Sequence, residues 1–176
     1  AIRCEVDNWR WAGVPIYLRT GKRMAQRYSE IAVTFKPVPH SIFEGAAKAD
    51  MAANRLVIDL QPDEDIELLL MNKAPGLSER GMRLQSLPLS LSLAKAYSGP
   101  NSRRRIAYER LILDVIQNNS TLFVRRDEVE RAWEWIDGVA DAWRESSMAP
   151  KPYAAGRWGP AGAFALSERS GRAWYD

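Results

Sequence analysis

The chain has 176 residues, a length that can fold as one domain and bury a core without disulfides or metal ions. Its composition, 46% hydrophobic and 27% charged, excludes an intrinsically disordered chain. The formal net charge of +3 is compatible with an anionic ligand of any size but selects none.

Cys4 is the only cysteine, so the sequence contains neither an internal disulfide framework nor a thiolate metal cage. No apolar run approaches the roughly 18 residues that cross a bilayer, and residues 1–10 lack a signal-peptide core. We therefore expect a cytoplasmic protein with no membrane partner.

The first half of the chain has the two-residue apolar period of strands that bury one face. Turn formers between these segments favour a largely antiparallel sheet over parallel units with crossover helices. A short helix is predicted over residues 43–53. The predicted strands are residues 14–19, 31–35, 56–60, 66–70 and 84–93.

The second half changes to helical spacing of apolar residues, from Tyr108 to Ile116 and again from Val129 to Trp143. Two amphipathic helices are predicted, with Trp133 and Trp143 on the apolar, core-facing stripe. Asp127 and Glu130 have the spacing of a capping box, which places the start of the second helix at Asp127.

Strands grouped first and helices grouped second predict an α+β fold: a large, mainly antiparallel sheet with helices packed on one face. In the last strand, the side opposite the leucines contains only Pro88, Ser90 and Ser92. This weakly polar face is predicted to be available for dimerisation. We expect one domain over residues 1–149, and an irregular Pro/Gly-rich tail over residues 150–176 that packs on the same domain.

A search for catalytic residues finds none. His40 is the single histidine, and no neighbouring carboxylate could orient it as a general base, so a structural or surface role is favoured. The sequence contains no glycine-rich dinucleotide turn and no phosphate-binding loop of the Gly-Lys-Ser/Thr type. We expect no cofactor site and no metal site in this chain.

The segment that has the chemistry of a binding site is Arg19-Thr20-Gly21-Lys22-Arg23, with Arg27 close behind. Gly21 allows a tight turn, so that Lys22 and Arg27 could converge on one anion, and phosphate suits this pair. The alternative is a solvated hairpin turn with ordinary surface charge.

A second basic run, Arg103-Arg104-Arg105, precedes the first predicted helix. It supports a rival interpretation of the chain as a non-enzymatic module that binds nucleic acid or an acidic partner. A solvated face or an internal salt-bridge patch explains the same run.

Several stretches match, in order, the sequences of glucose-6-phosphate dehydrogenases. The most specific are Trp9-Arg10-Trp11-Ala12-Gly13-Val14-Pro15, Arg19-Thr20-Gly21-Lys22 and Ala107-Tyr108-Glu109-Arg110-Leu111-Ile112-Leu113-Asp114-Val115. The chain therefore resembles the C-terminal domain of the bacterial type of this family. Further matching stretches cover nearly the whole chain: residues 30–33, 35–39, 54–58, 60–64, 73–76, 122–128 and 156–160.

The resemblance implies a parent enzyme that oxidises glucose 6-phosphate to 6-phosphogluconolactone with NADP or NAD, the first step of the oxidative pentose phosphate pathway. In this family an N-terminal dinucleotide-binding domain holds the cofactor and the catalytic histidine, and neither motif is found here. The resemblance therefore implies that this chain alone is inactive. It also implies a homodimer formed through the exposed sheet face, and no nucleic-acid partner.

By the family motifs, Lys22 and Arg27 correspond to cationic residues of the substrate site, and Gln61 to a glutamine near the sugar. The resemblance thus implies charge pairing with the phosphate and contact with a sugar hydroxyl. Asp59 stands where some family members have an arginine that helps to hold a second, structural NADP. A carboxylate there would repel phosphates, so no such site is expected.

Overall fold

The computed structural model describes residues 1–40, 52–75, 84–92 and 107–175. The chain divides into two compact units: Ala1–Gly99 together with Tyr153–Asp176, and Pro100–Pro152. The predicted helix over residues 43–53 and the Arg103 to Arg105 run lie, apart from residues 52 and 53, outside the described residues. The predicted domain bounds, 1–149 and 150–176, stay a prediction.

The first unit is built on antiparallel strands, as the alternating apolar pattern predicted. Two short strands pair with each other, and four longer strands form a sheet in the order β3-β4-β5-β6 with every neighbour antiparallel. Together with the helices this confirms the α+β class. The strands are β1 (Ile2–Cys4), β2 (Ile16–Leu18), β3 (Ser29–Thr34), β4 (Arg55–Gln61), β5 (Asp65–Lys73) and β6 (Leu84–Ser92).

One face of the four-stranded sheet is apolar, because the strand register aligns branched side chains across it. Its leucines on β6 are exposed: Leu87 by 42%, Leu89 by 62% and Leu91 by 53%. The sequence pattern predicts that the weakly polar side, opposite these leucines, faces a partner. Within the first unit, the apolar side is strongly exposed. One row of directly paired residues crosses all four strands on this apolar face: Ile31, Ile58, Ile66 and Leu91.

The opposite face contains Val57, which is 2% exposed and is the most buried hydrophobic residue among those that the structure describes. Val57 lies between Ala32 and Glu67 on the neighbouring strands. On this face the guanidinium of Arg55 lies 4.6 Å from the ring centre of Tyr175. The C-terminal residues therefore lie on the polar, charged face of the sheet.

The C-terminal segment contains an α-helix, which the sequence analysis had not predicted. This helix, Ala161–Glu168, is the third of the described helices and is named α3. Pro160 occupies its N-cap position, where the missing backbone N–H costs nothing because the first amides of a helix have no partner within it. The Pro/Gly content that predicted an irregular tail thus marks the start of a helix.

The second unit contains two helices, α1 (Ala107–Ile116) and α2 (Arg126–Glu145). The predicted N-cap at Asp127 is wrong, because Arg125 occupies that position and its backbone N–H donates to the Glu128 carboxylate at 3.1 Å. Trp133, predicted to be core, is 62% exposed. Across the part of the chain that the structure describes, no helix is long and apolar enough to cross a membrane.

Candidate functional site

The segment between β2 and β3 presents the two cations that the sequence analysis selected. Lys22 and Arg27 are both exposed, and they stand on either side of a bend that leads the chain into β3. Arg23 has a φ of 53°, so the left-handed conformation of this bend is at Arg23. Nonglycine residues adopt it rarely, and the surrounding structure must hold it.

Gly21 has a different role from the predicted one, because its φ does not lie in the left-handed region. A Cβ atom at this position would lie 2.7 Å from the hydroxyl oxygen of Tyr153 and 3.0 Å from the sulfur of Met24. A side chain at residue 21 would force Tyr153 or Met24 to shift, so the close approach of these side chains favours glycine. It is not required by the turn itself.

Residues 153–158 of the C-terminal segment form hydrogen bonds to the segment that contains Lys22. The hydroxyl of Tyr153 donates a hydrogen bond to the backbone carbonyl of Lys22 at 2.5 Å. The backbone N–H of Gly156 donates to the carbonyl of Arg23 at 2.9 Å. Two consecutive peptide groups of the basic segment are thereby fixed by residues far away in the sequence.

Arg19 begins the basic segment, but its side chain is directed into an aromatic cluster. Its guanidinium carbon lies 4.5 Å from the ring centre of Trp174, 5.0 Å from that of Trp158 and 6.0 Å from that of Phe164. Such stacking uses the weakly hydrated face of the guanidinium. The side chain of Arg19 thus packs against the C-terminal segment, unlike the exposed Lys22 and Arg27.

Further aromatic contacts extend this cluster. Tyr28 packs edge-on against Trp158 at 5.2 Å between ring centres, and the indole N–H of Trp174 donates to the Ala163 carbonyl at 2.9 Å. These contacts join both ends of the segment 19–28 to the C-terminal residues. Trp158 and Trp174 therefore pack the C-terminal segment against residues 19–28.

Gln61 is the last residue of β4 and pairs with Ser29, the first residue of β3. Arg27 precedes Ser29 by two residues, so Gln61 and Arg27 belong to the same end of the sheet. Gln61 is exposed, as the cations are. A substrate site formed by Lys22, Arg27 and Gln61 stays a prediction. The strand pairing brings the backbones of Arg27 and Gln61 to one sheet end.

The polar face of the sheet gathers acidic side chains around Tyr175. The register aligns Glu30 with Asp59 and Asp59 with Asp65 on three neighbouring strands. Burial, the carboxylate of Glu67 and, less strongly, those of Glu30 and Asp59 raise the pKa of Tyr175 above its ordinary value of 10.0, whereas Arg55 opposes the rise. The aligned carboxylates at Asp59 are unfavourable for nucleotide phosphates. The absence of a second NADP there stays a prediction.

His40 is exposed near the end of the first described range. Within the described ranges, no group of three or more histidine, cysteine, aspartate or glutamate side chains could hold a metal ion.

The contact of Tyr153 and the packing role of Arg19 are not predicted by the sequence. Tyr153 lies 131 residues from its hydrogen-bond partner Lys22, and no local pattern reports such a contact. The usable signal is compositional, because five aromatic residues occur in a short segment rich in proline and glycine: Tyr153, Trp158, Phe164, Trp174 and Tyr175.

Comparison with known sequences identifies close relatives along the whole chain. Residues 1–175 match the family model described as glucose-6-phosphate dehydrogenase, C-terminal domain. The chain is 54% identical over its full length to a glucose-6-phosphate 1-dehydrogenase of Zymomonas mobilis, and 56% identical to one of Rhizobium meliloti. It spans 36% and 35% of the length of these two relatives.

Solved structures agree with this result. The chain superposes on the crystal structure of glucose-6-phosphate 1-dehydrogenase from Mycobacterium avium with a TM-score of 0.76 and 30% identity, covering 99% of this chain and 34% of that one. A glucose-6-phosphate dehydrogenase in complex with its substrate glucose-6-phosphate gives a TM-score of 0.77 with the same identity and coverage. The chain therefore belongs to the family of glucose-6-phosphate dehydrogenase C-terminal domains.

Proposed function

We propose that this chain is the C-terminal, substrate-contacting part of an enzyme that oxidises glucose 6-phosphate to 6-phosphogluconolactone with NADP. The observation that carries the proposal is the family match over residues 1–175. A similar solved structure described as a complex with glucose-6-phosphate supports the choice of substrate. The cofactor and the catalytic base belong to a dinucleotide-binding domain, and this chain contributes to substrate binding.

In this proposal Lys22 and Arg27 bind the phosphate of the substrate, and Gln61 contacts a hydroxyl of the sugar. The exposed cations on one short segment can approach an anion from two sides, lysine as a point charge and arginine as a fork. A hydrogen bond to a charged group contributes about 1.5–3 kcal/mol, so the pair would account for much of the phosphate affinity. In this proposal neither side chain contacts the carbon that loses hydride.

A chimera tests this function. Residues 1–176 replace the corresponding C-terminal part of the Zymomonas mobilis relative, and glucose 6-phosphate-dependent NADPH formation is measured. We expect turnover in the chimera and none with this chain alone. The Lys22→Gln chimera should have a KM for glucose 6-phosphate raised about 10- to 100-fold, because a charged hydrogen bond is lost.

Lys36→Gln is the matched control, since it removes the same charge from another exposed position of the first unit. It should leave KM unchanged. A folded chimera without turnover, or turnover by the isolated chain, would contradict the proposed division of labour.

We further propose that two copies pair through the sheet and that the enzyme works in the cytoplasm. The exposed leucines of β6 support the pairing, because contiguous apolar patches on a protein surface mark interaction sites. The rival interpretation as a nucleic-acid or acidic-partner binder is not favoured by the family match. Strong retention on heparin that weakens steeply with salt would revive it.

A further inference from the structure

We propose that Tyr153 is a positioning residue for Lys22: its hydroxyl fixes the backbone that presents the lysine to the substrate phosphate. The inference rests on the proposed function, since it assumes that Lys22 binds this phosphate. Tyr153 itself does not touch the substrate in this proposal, and it acts through the peptide group of Lys22.

The first support is the hydrogen bond itself. The Tyr153 hydroxyl donates to the carbonyl of Lys22 at 2.5 Å, so the peptide plane that follows the Lys22 Cα is held directly. A lysine side chain has four rotatable bonds, and only its backbone can be fixed without contact along the stem. Fixing this carbonyl therefore restricts the directions in which the ammonium group can extend.

The second support is the fit between Tyr153 and Gly21. The hydroxyl lies where a Cβ atom of residue 21 would be only 2.7 Å away, a separation that real Cβ atoms do not show. A glycine before the lysine is thus favoured. Gly21 and Tyr153 therefore act together: the glycine leaves the space that the tyrosine hydroxyl needs to reach the Lys22 carbonyl.

The third support is the bend that follows. Arg23 has a φ of 53°, and its carbonyl accepts the Gly156 N–H at 2.9 Å. The C-terminal segment therefore holds Lys22 and Arg23 in succession, in a conformation that nonglycine residues adopt only when held. A displacement of about 1 Å in a substrate-positioning group is enough to reduce function strongly.

The test compares Tyr153→Phe with Tyr17→Phe in the 176-residue chain. Both variants remove one hydroxyl from the first unit, but the Tyr17 hydroxyl has no hydrogen-bond partner among the described residues. Glucose 6-phosphate is titrated into each protein by NMR, and backbone order parameters of residues 21–24 are measured without ligand.

For Tyr153→Phe we expect lower order parameters at residues 21–24 and a Kd for glucose 6-phosphate about fivefold weaker, the loss expected for one uncharged hydrogen bond. Tyr17→Phe should change neither. Unchanged order, or unchanged affinity, in Tyr153→Phe would overturn the inference. If Tyr153 contributed only to stability, Tyr153→Phe would lower the melting temperature, and the folded variant would bind glucose 6-phosphate with unchanged Kd.

Gly21→Ala provides a second route, because the added Cβ displaces the hydroxyl without removing it. Gly21→Ala should weaken the binding of glucose 6-phosphate at least as much as Tyr153→Phe. When both substitutions are combined, the loss of binding free energy should be smaller than the sum of the two single losses. If the two losses of binding free energy add fully, Gly21 and Tyr153 do not act through the same contact.

Lys22→Gln separates the inference from the proposed function. If Lys22→Gln binds glucose 6-phosphate with the same Kd as the unsubstituted chain, the proposed phosphate site is wrong and the inference about Tyr153 is wrong too. If Lys22→Gln loses affinity while Tyr153→Phe and Gly21→Ala do not, the phosphate site stands and only the positioning role is overturned.

Discussion

Arg19 is a half-buried cation that stacks on aromatic rings, with Trp174 at 4.5 Å and Trp158 at 5.0 Å from its guanidinium carbon. Lysine keeps the charge but lacks the planar face that stacks on these rings. We expect Arg19→Lys to lower the free energy of unfolding by about 1–2 kcal/mol, measured by urea denaturation.

Arg10→Lys is the matched control for this prediction. Arg10 lies 5.1 Å from the ring of Trp9, which is 86% exposed, so its cation–π contact is largely hydrated. We expect a loss of at most about 0.5 kcal/mol there. Equal losses at the two positions would show that burial by the C-terminal segment adds nothing to the contact of Arg19.

Tyr175 should ionise above its ordinary pKa of 10.0, because burial and the Glu67 carboxylate disfavour the phenolate. The neutral form is then favoured by the folded state. Its contribution to stability is complete below the unfolded pKa and is lost as the pH rises through the folded pKa. Difference titration of the parent against Tyr175→Phe, by phenolate absorbance, measures this pKa.

Substitutions at two residues near Tyr175 should change its pKa in opposite directions. Glu67→Gln removes a carboxylate that raises it, so the pKa should fall towards the ordinary value. Arg55→Met removes a cation that lowers it, so the pKa should rise further. Shifts of the same sign in both variants would contradict the electrostatic account.

At the scale of single elements, the start of α2 offers a test of capping. Glu128 accepts the Arg125 backbone N–H, whereas Glu130 only faces Arg126 at 3.8 Å in an exposed ion pair. Glu128→Ala should lower the stability of the helix by about 0.3–1.5 kcal/mol. Glu130→Ala should cost less, about 0.2–0.5 kcal/mol.

Thermal unfolding of both variants, followed by far-UV circular dichroism, ranks the two positions. The reverse ranking would restore the capping box at Asp127 and Glu130 that the sequence spacing suggests. The structure disagrees with this spacing because Asp127 accepts two bonds from the Arg125 guanidinium, at 2.9 and 2.6 Å, within the first turn. There its negative charge interacts favourably with the positive end of the helix dipole.

At the scale of the whole molecule, the proposed pairing of two copies depends on which sheet face is buried. Leu89 lies on the exposed apolar face, and Ser90 on the opposite, polar face. Because burying an unpaired charge is costly, Leu89→Glu should dissociate a dimer that uses the leucines. Sedimentation equilibrium at several concentrations measures the association.

Ser90→Glu is the paired variant for the other face. Dissociation by Ser90→Glu alone would support the weakly polar surface that the strand pattern suggested, and would contradict pairing through the leucines. If neither variant weakens association, the sheet is not the contact between copies.

The sequence by itself determined the α+β class, the antiparallel strands and the two amphipathic helices, because periodic burial is a local property that alternation and helical spacing report directly. It also selected Lys22 and the glycine before it. The reason for that glycine, the close approach of Tyr153, was decided by tertiary structure.

The same holds for Arg19, whose aromatic partners on the C-terminal segment are more than a hundred residues away, and for the sheet face on which Tyr175 lies. Alternation shows that a strand has two faces, but it does not show what covers each one. That choice depends on contacts between distant segments, which form only when the chain has folded and which no local pattern encodes.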